Sequence, residues 1–160
     1  MRIGVVSDTH IPARARSLPA QLFTGLMGVD MILHAGDLVD MQVLTELAVL
    51  APVYAVHGNV DPIEIKRRLP RTRIVEAGAF RIGLVHGHGP GGNTPQRALQ
   101  TFNDVHCVVF GHSHQALCER RGEVLLFNPG SPTDKRWSEK HSYGILTVTD
   151  AGITGEIIYF

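Results

Sequence analysis

Net charge is the first thing this sequence lacks. Fifteen basic residues balance fifteen acidic ones, which excludes an overall field drawing the chain to nucleic acid and leaves only a local basic patch open. Cysteine is scarce: Cys107 and Cys118 form no close motif, are too few for a disulfide framework or an all-cysteine zinc site, and are both expected as reduced core thiols. Long apolar runs are missing as well. Gly, Pro, His or a charged residue interrupts each run before the roughly 20 residues that a bilayer crossing needs, so no membrane association is expected. With no charged leader or signal core ahead of the first apolar run, a cytoplasmic location is expected. Linkers, repeats and low-complexity segments are absent, and 160 residues with 44% hydrophobic content suit a single domain over 1–160 that buries a sizeable core.

Histidine, by contrast, is plentiful. Nine are present, and four sit in two short clusters, His86 with His88 and His112 with His114. The surrounding pattern predicts alternating elements. Short β-branched runs at Ile3 to Val6, Met31 to Leu33 and Val53 to Val56 read as buried strands. Between them, Leu18 to Met27 and Met41 to Leu50 carry helical spacing, with Pro19 just inside one start and Asp40 placed to cap the other. Strand, helix, strand, helix, strand favours parallel pairing with right-handed crossovers. After a basic segment at Lys66 to Arg73, strands are expected at Arg73 to Glu76 and Phe80 to Val85, then a helix from Thr94 to Phe102. Further strands follow at Val105 to Phe110, Ala116 to Glu119, Val124 to Phe127, Gly144 to Thr149 and Thr154 to Tyr159. The expected fold class is α/β: two mixed sheets packed face to face with helices outside, a four-layer sandwich.

The informative feature is positional. Five predicted strands lead directly into residues able to bind a metal: Asp8 and His10, Asp37, Asn59, His86, and His112 with His114. Ligand sites in α/β sheets gather beyond the carboxyl ends of strands, so these residues can share one crevice. Spacing of two in Asp8-x-His10 and His112-x-His114 puts both side chains on one side of an extended chain. Gly36, Gly58, Gly87 and Gly111 beside them permit close approach.

Taken singly, each residue has an ordinary reading: Asp8 and Asp37 in turns, Asn59 in a left-handed loop position. His34, His106 and His141 are expected as hydrogen-bonded core residues. Jointly, seven oxygen and nitrogen donors at five strand ends with no thiolate point to bound cations.

The ordered set Asp8-Thr9-His10, Gly36-Asp37, Gly58-Asn59, His86-Gly87 and Gly111-His112-Ser113-His114 resembles the calcineurin-like metallophosphoesterase superfamily. The short length and Asn128-Pro129-Gly130-Ser131 are similar to its small prokaryotic YfcE-like phosphodiesterase branch. The resemblance runs from Met1 to about Ser131. It implies that Asp8, His10 and His114 hold one divalent metal ion, that Asn59, His86 and His112 hold another, and that Asp37 bridges them. A carboxylate has two oxygens to share, whereas a neutral imidazole offers one lone pair. The resemblance further implies attack on phosphorus by a metal-bridging hydroxide, with Asp37 and Asn59 in the catalytic set. With two metals, two carboxylates and a hydroxide, the site carries a formal charge of about +1 and suits an anionic small phosphate ester.

One position departs from the pattern. Many relatives carry histidine after the asparagine, where this chain has Val60, so slow turnover except on activated esters is expected. His57 or His88 is a candidate replacement proton donor, and either serves equally well as a hydrogen-bonding partner of the ligands. The ligand set suits Mn2+, Zn2+, Fe2+, Co2+ or Ni2+, with Mn2+ favoured. Arg14, Lys135 and Arg136 border the expected crevice, where they read foremost as solvated charges. A phosphodiesterase is the leading reading and a phosphomonoesterase the runner-up. A non-catalytic scaffold like the retromer subunit is the alternative of a different class, a nuclease is disfavoured, and a homo-oligomer is left open.

Overall fold

Strand β1 (Arg2–Val6) is buried from Ile3 onward, which explains its continuous apolar run: Ile3 and Val5 enter one core cluster and Val6 another on the opposite face. The computed structural model describes all 160 residues. After β1 come α1 (Ala20–Leu26), β2 (Met31–His34), α2 (Gln42–Leu47), β3 (Val53–Ala55) and α3 (Ile63–Arg68). Then follow β4 (Thr72–Ala77), β5 (Phe80–Val85), α4 (Thr94–Gln100), β6 (Cys107–Val109), β7 (Leu117–Arg121), β8 (Val124–Asn128), β9 (Ser142–Thr149) and β10 (Gly152–Tyr159).

Two five-stranded sheets result, in the orders β10-β9-β1-β2-β3 and β4-β5-β6-β8-β7. In the first, β1, β2 and β3 pair in parallel while β9 and β10 add antiparallel strands. In the second, β5, β6 and β8 are parallel and β4 and β7 close the edges antiparallel. The sheets face each other across a core that includes Val5, Leu33, Ile82, Val109, Phe127 and Leu146. Leu22 and Leu26 of α1, Val43 and Leu47 of α2 and Ile65 of α3 pack with Val6 and Ile32 on the outer face of the first sheet. Ala98 of α4 covers Val108 and Leu126 on the second. Each fully buried Leu or Ile side chain contributes about 1.5–3 kcal/mol. The expected four-layer α/β architecture is therefore the observed one. No helix is long and apolar enough to cross a membrane.

Local signals account for the element boundaries. Asn93 caps α4 by accepting from the Gln96 amide at 3.0 Å, and the Gln96 side chain answers by accepting from the Asn93 amide. Asp40 accepts from the Gln42 amide at 2.8 Å at the start of α2. Three expectations need correction. The basic segment holds a helix, α3: Pro62 precedes it, Ile65 is buried, and Lys66, Arg67 and Arg68 crowd its last turn, where cations suit the helix C-terminus. Cys107 is buried as expected, whereas Cys118 is exposed on the edge strand β7 and donates only to the Gly155 carbonyl at 3.5 Å. Among the three histidines expected in the core, His34 alone is fully buried, bonded to Thr9 Oγ1 and the Gly36 amide. His106 accepts from the Arg81 amide on the surface, and His141 is half-buried with Nδ1 unpartnered.

Candidate metal centre

The parallel strands end at the same edge of the sandwich, and the loops that follow them carry the predicted ligands. Asp8 and His10 follow β1, Asp37 follows β2, Asn59 follows β3, His86 directly succeeds β5, and His112 and His114 follow β6. Backbone bonds lace these loops together: the Asp8 amide donates to Gly36, the His10 amide to Asp37, and the Gly111 amide to His86. The His86 ring ties the two sheets by donating Nδ1–H to the Ala35 carbonyl at 2.7 Å.

Asp8, His10 and His114 form one compact group of ligand atoms, and Asp37, His86 and His112 form another. Both carboxylates divide their oxygens between two tasks. Asp8 Oδ2 accepts from Ser7 Oγ at 2.7 Å and from the His112 amide at 3.0 Å. Its Oδ1 has no hydrogen-bond partner and faces His114 Nε2 at 3.3 Å, His10 Nε2 at 3.8 Å and His86 Nε2 at 3.9 Å. Asp37 Oδ1 accepts from the Val60 amide at 3.0 Å, which leaves Oδ2 between His10 Nε2 at 3.7 Å and His86 Nε2 at 3.0 Å. One oxygen of Asp37, rather than two, thus faces both groups. Despite its short distance, the His86 to Asp37 approach lacks hydrogen-bond geometry, since His86 Nε2 remains unpartnered.

Four buried atoms without partners therefore converge: Asp8 Oδ1, His10 Nε2, His86 Nε2 and His114 Nε2. Orphaned buried polar atoms are costly, about 1–3 kcal/mol each, and their convergence fits a cation. The far nitrogens of two rings are already fixed as donors, His86 Nδ1 to Ala35 and His114 Nδ1 to Asp134. This directs their Nε2 lone pairs inward.

The expected extended geometry around the ligand pairs is not what forms. Asp8, His10, Asp37, His112 and His114 all have φ between 46° and 69°, a left-handed conformation that ordinary residues avoid and that clusters at functional sites. Two glycines permit the crowding. A Cβ on Gly58 would overlap Asp37 Oδ1, and one on Gly111 would overlap Ser7 Oγ and Asp8 Oδ2.

Electrostatics prepares the carboxylates. Burial pushes Asp8 up, but His10, His86, His114 and the Ser7 hydroxyl overcome it and hold Asp8 at about 2. Asp37 is likewise lowered, with His86 and the Val60 amide outweighing burial and the Asp8 charge. Burial pushes His88 down to about 4 and also lowers His112 and His114. His86 goes the other way: burial opposes its charge, yet Asp37 and Asp8 raise it.

Asn59 sits at the rim, exposed, with its carbonyl accepting from Lys66 Nζ at 2.8 Å. His88 packs near the rings of His86 and His112, at 5.5 and 6.3 Å between centroids, with Nδ1 buried and unpartnered. His57 is half-buried and close to the Gly58 carbonyl. Arg14 reaches Asp134 at 3.8 Å, Arg136 donates to the His112 carbonyl and Lys135 to that of Glu139. The Asn128–Ser131 motif acts as a staple. Asn128 Nδ2 donates to the Gly111 carbonyl, and Ser131 Oγ donates to that of Asp8. One residue escaped sequence reasoning: Asp61, buried, accepts from the amides of Asp37, Val39 and Gly58. Its position before Pro62 reads as an ordinary turn.

Two facing mixed sheets with an imidazole and carboxylate cluster beyond their parallel strand ends define a metal-binding α/β protein. The model of the calcineurin-like phosphoesterase superfamily domain matches residues 1–151, and the chain belongs to that superfamily. It is 42% identical over 160 residues to a probable metallophosphoesterase of Methanothermobacter thermautotrophicus, covering 99% of this chain and 92% of that one. Among solved structures, wild-type Vps29 from Entamoeba histolytica complexed with zinc superposes with a TM-score of 0.77 at 25% identity, covering 99% of each chain. A novel archaeal phosphodiesterase superposes with a TM-score of 0.74 at 24% identity over 99% of this chain and all of that one. At that identity the likeness speaks to fold.

Proposed function

We propose that this chain is a metal-dependent phosphodiesterase acting on small or activated phosphate esters, with Asp8, His10 and His114 holding one divalent cation, Asn59, His86 and His112 a second, and Asp37 shared. The observation that carries this reading is the convergence of four buried, unpartnered ligand atoms from three loops. Bound there, two divalent cations supply Lewis acidity, lowering the pKa of a water and neutralising phosphoryl charge. Mn2+ is the favoured ion, and Zn2+, Fe2+, Co2+ and Ni2+ suit the same donors.

The chain's own residues set the limits of the chemistry. Val60 is 48% exposed and engages Asp37 only through its amide, so its side chain contributes no proton donor beside Asn59. His88, pushed down to about 4 by burial, is neutral near pH 7 and so a poor general acid. His57, half-buried beside the Gly58 carbonyl, is the remaining candidate to protonate a leaving alkoxide, a contribution of roughly 10²–10⁴ in rate when well placed. The test compares bis(p-nitrophenyl) phosphate with p-nitrophenyl phosphate across these metals, with chelator controls. Faster hydrolysis of the diester is expected. Preference for the monoester would replace the reading with a phosphomonoesterase, and hydrolysis of neither would favour a binding scaffold.

A further inference from the structure

A surface groove of about 530 Å³ opens next to the loop that carries His112 and His114. Gln115 and Ala116, which line it, directly follow His114 in the chain. Its opposite wall comes from the segment before β9, which is belted to the same loop. Asp134 accepts from His114 Nδ1, Arg136 Nη1 donates to the His112 carbonyl, and Ser138 Oγ donates to the His114 carbonyl at 3.4 Å. Between the last two anchors stands Trp137, the chain's only tryptophan, 91% exposed. Tyr159, at the end of β10, lines the same groove and is 54% exposed. Neither ring packs on another aromatic side chain.

A tryptophan left almost wholly in water forgoes a large apolar burial, and a groove of this volume matches small-molecule sites. The lining combines the aromatic faces of Trp137 and Tyr159 with polar edges from the side chains of Gln115 and Ser138 and one charge of each sign, Glu139 and Lys140. A lipid chain would not use those edges, whereas a planar, hydrogen-bonding ring uses both features. We infer that the Trp137–Tyr159 groove is a base subsite, which takes the nucleobase of a nucleotide phosphodiester whose phosphate lies at the neighbouring cluster of Asp8, Asp37 and the histidines. This rests on the phosphodiesterase reading and adds the substrate class. Stacking on an aromatic face tolerates any base, so the subsite selects nucleotides without reading their sequence.

Because Trp137 is the single tryptophan, its fluorescence reports on the groove independently of turnover. With Zn2+ present, 5′-dAMP quenches that emission saturably while methyl phosphate, which lacks a base, does not. Tyr159→Ala keeps the reporter and weakens 5′-dAMP binding roughly tenfold. In kinetics, Trp137→Ala raises KM for thymidine 5′-(p-nitrophenyl phosphate) roughly tenfold relative to methyl p-nitrophenyl phosphate, with kcat following neither ester selectively. Absence of saturable quenching, an equal effect on both esters, or an emission shift that follows protein concentration alone and marks self-association would each overturn the subsite. If the wild type binds 5′-dAMP in this way but hydrolyses neither ester, the groove stands and the phosphodiesterase reading falls.

Discussion

The Asp61 carboxylate accepts the backbone amide of Asp37 at 3.0 Å, fixing the proposed shared ligand from behind. The same carboxylate accepts from the Val39 amide at 2.7 Å and the Gly58 amide at 2.8 Å, so it joins the loops after β2 and β3. Asp61→Ala strands these donors, each costing about 1–3 kcal/mol. A loss of about 3 kcal/mol in urea unfolding and a fall of about 10- to 100-fold in metal affinity are expected. A variant with wild-type unfolding midpoint and wild-type metal binding would show that Asp61 does neither.

Metal uptake is expected to be coupled to proton release through His86. In the metal-free protein His86 is raised above its ordinary 6.5 by Asp37 and Asp8 against the opposing effect of burial, and it must be neutral to bind. His112 and His114 are shifted down and contribute little. Affinity is therefore retained at high pH and lost as pH falls through the raised His86 value. Calorimetric titration with Mn2+ in buffers of different ionisation enthalpy should read a net proton release that grows as pH falls through the His86 range. A zero result would deny the charged His86.

Metal-free stability carries a second pH dependence. Burial pushes His34 down to about 4 from 6.5, despite the nearby Asp61 and Asp8 charges. The unfolded chain thus takes up the proton before the folded one does. Stability is complete above pH 6.5 and declines as pH falls toward 4, by an amount on the order of 3 kcal/mol. Thermal unfolding in chelator over this range tests it. His34→Gln, whose amide can still meet Thr9 and Gly36, flattens the decline; an unchanged slope would assign it elsewhere.

The positions of the candidate ligands were legible because buried parallel strands announce themselves as short β-branched runs, and Asp8, Asp37, Asn59, His86 and His112 each follow such a run. The Asn93 start of α4 was equally visible through local chemistry. What sequence did not show was conformation fixed by tertiary contact. Spacing of two suggested extended backbone at Asp8 and His10, yet both are left-handed, because loops from two sheets must turn their side chains into one volume. Asp61 was hidden for a related reason: two of its three partners are amides 22 and 24 residues away. Cys118 looked apolar enough for the core, but the edge position of β7 decides its exposure.

Glycine next to the ligands is a matter of space. At Gly58 and Gly111 an added Cβ would overlap carboxylate oxygens of Asp37 and Asp8. Gly58→Ala and Gly111→Ala should each cost about 1–3 kcal/mol of stability and reduce bound metal. Metal analysis alongside thermal unfolding checks this, and a fully loaded, unshifted variant would show that the loops yield without harm.

The most direct test of the account is the number of metal ions each chain holds. Wild-type protein reconstituted with Mn2+, dialysed and assayed by mass spectrometry should carry about two ions per chain, and Asp37→Asn at most about one, because the carboxylate facing both ligand groups is gone. A wild-type chain that holds no ion, or an Asp37→Asn chain that holds two as tightly as wild type, would contradict the shared-carboxylate centre.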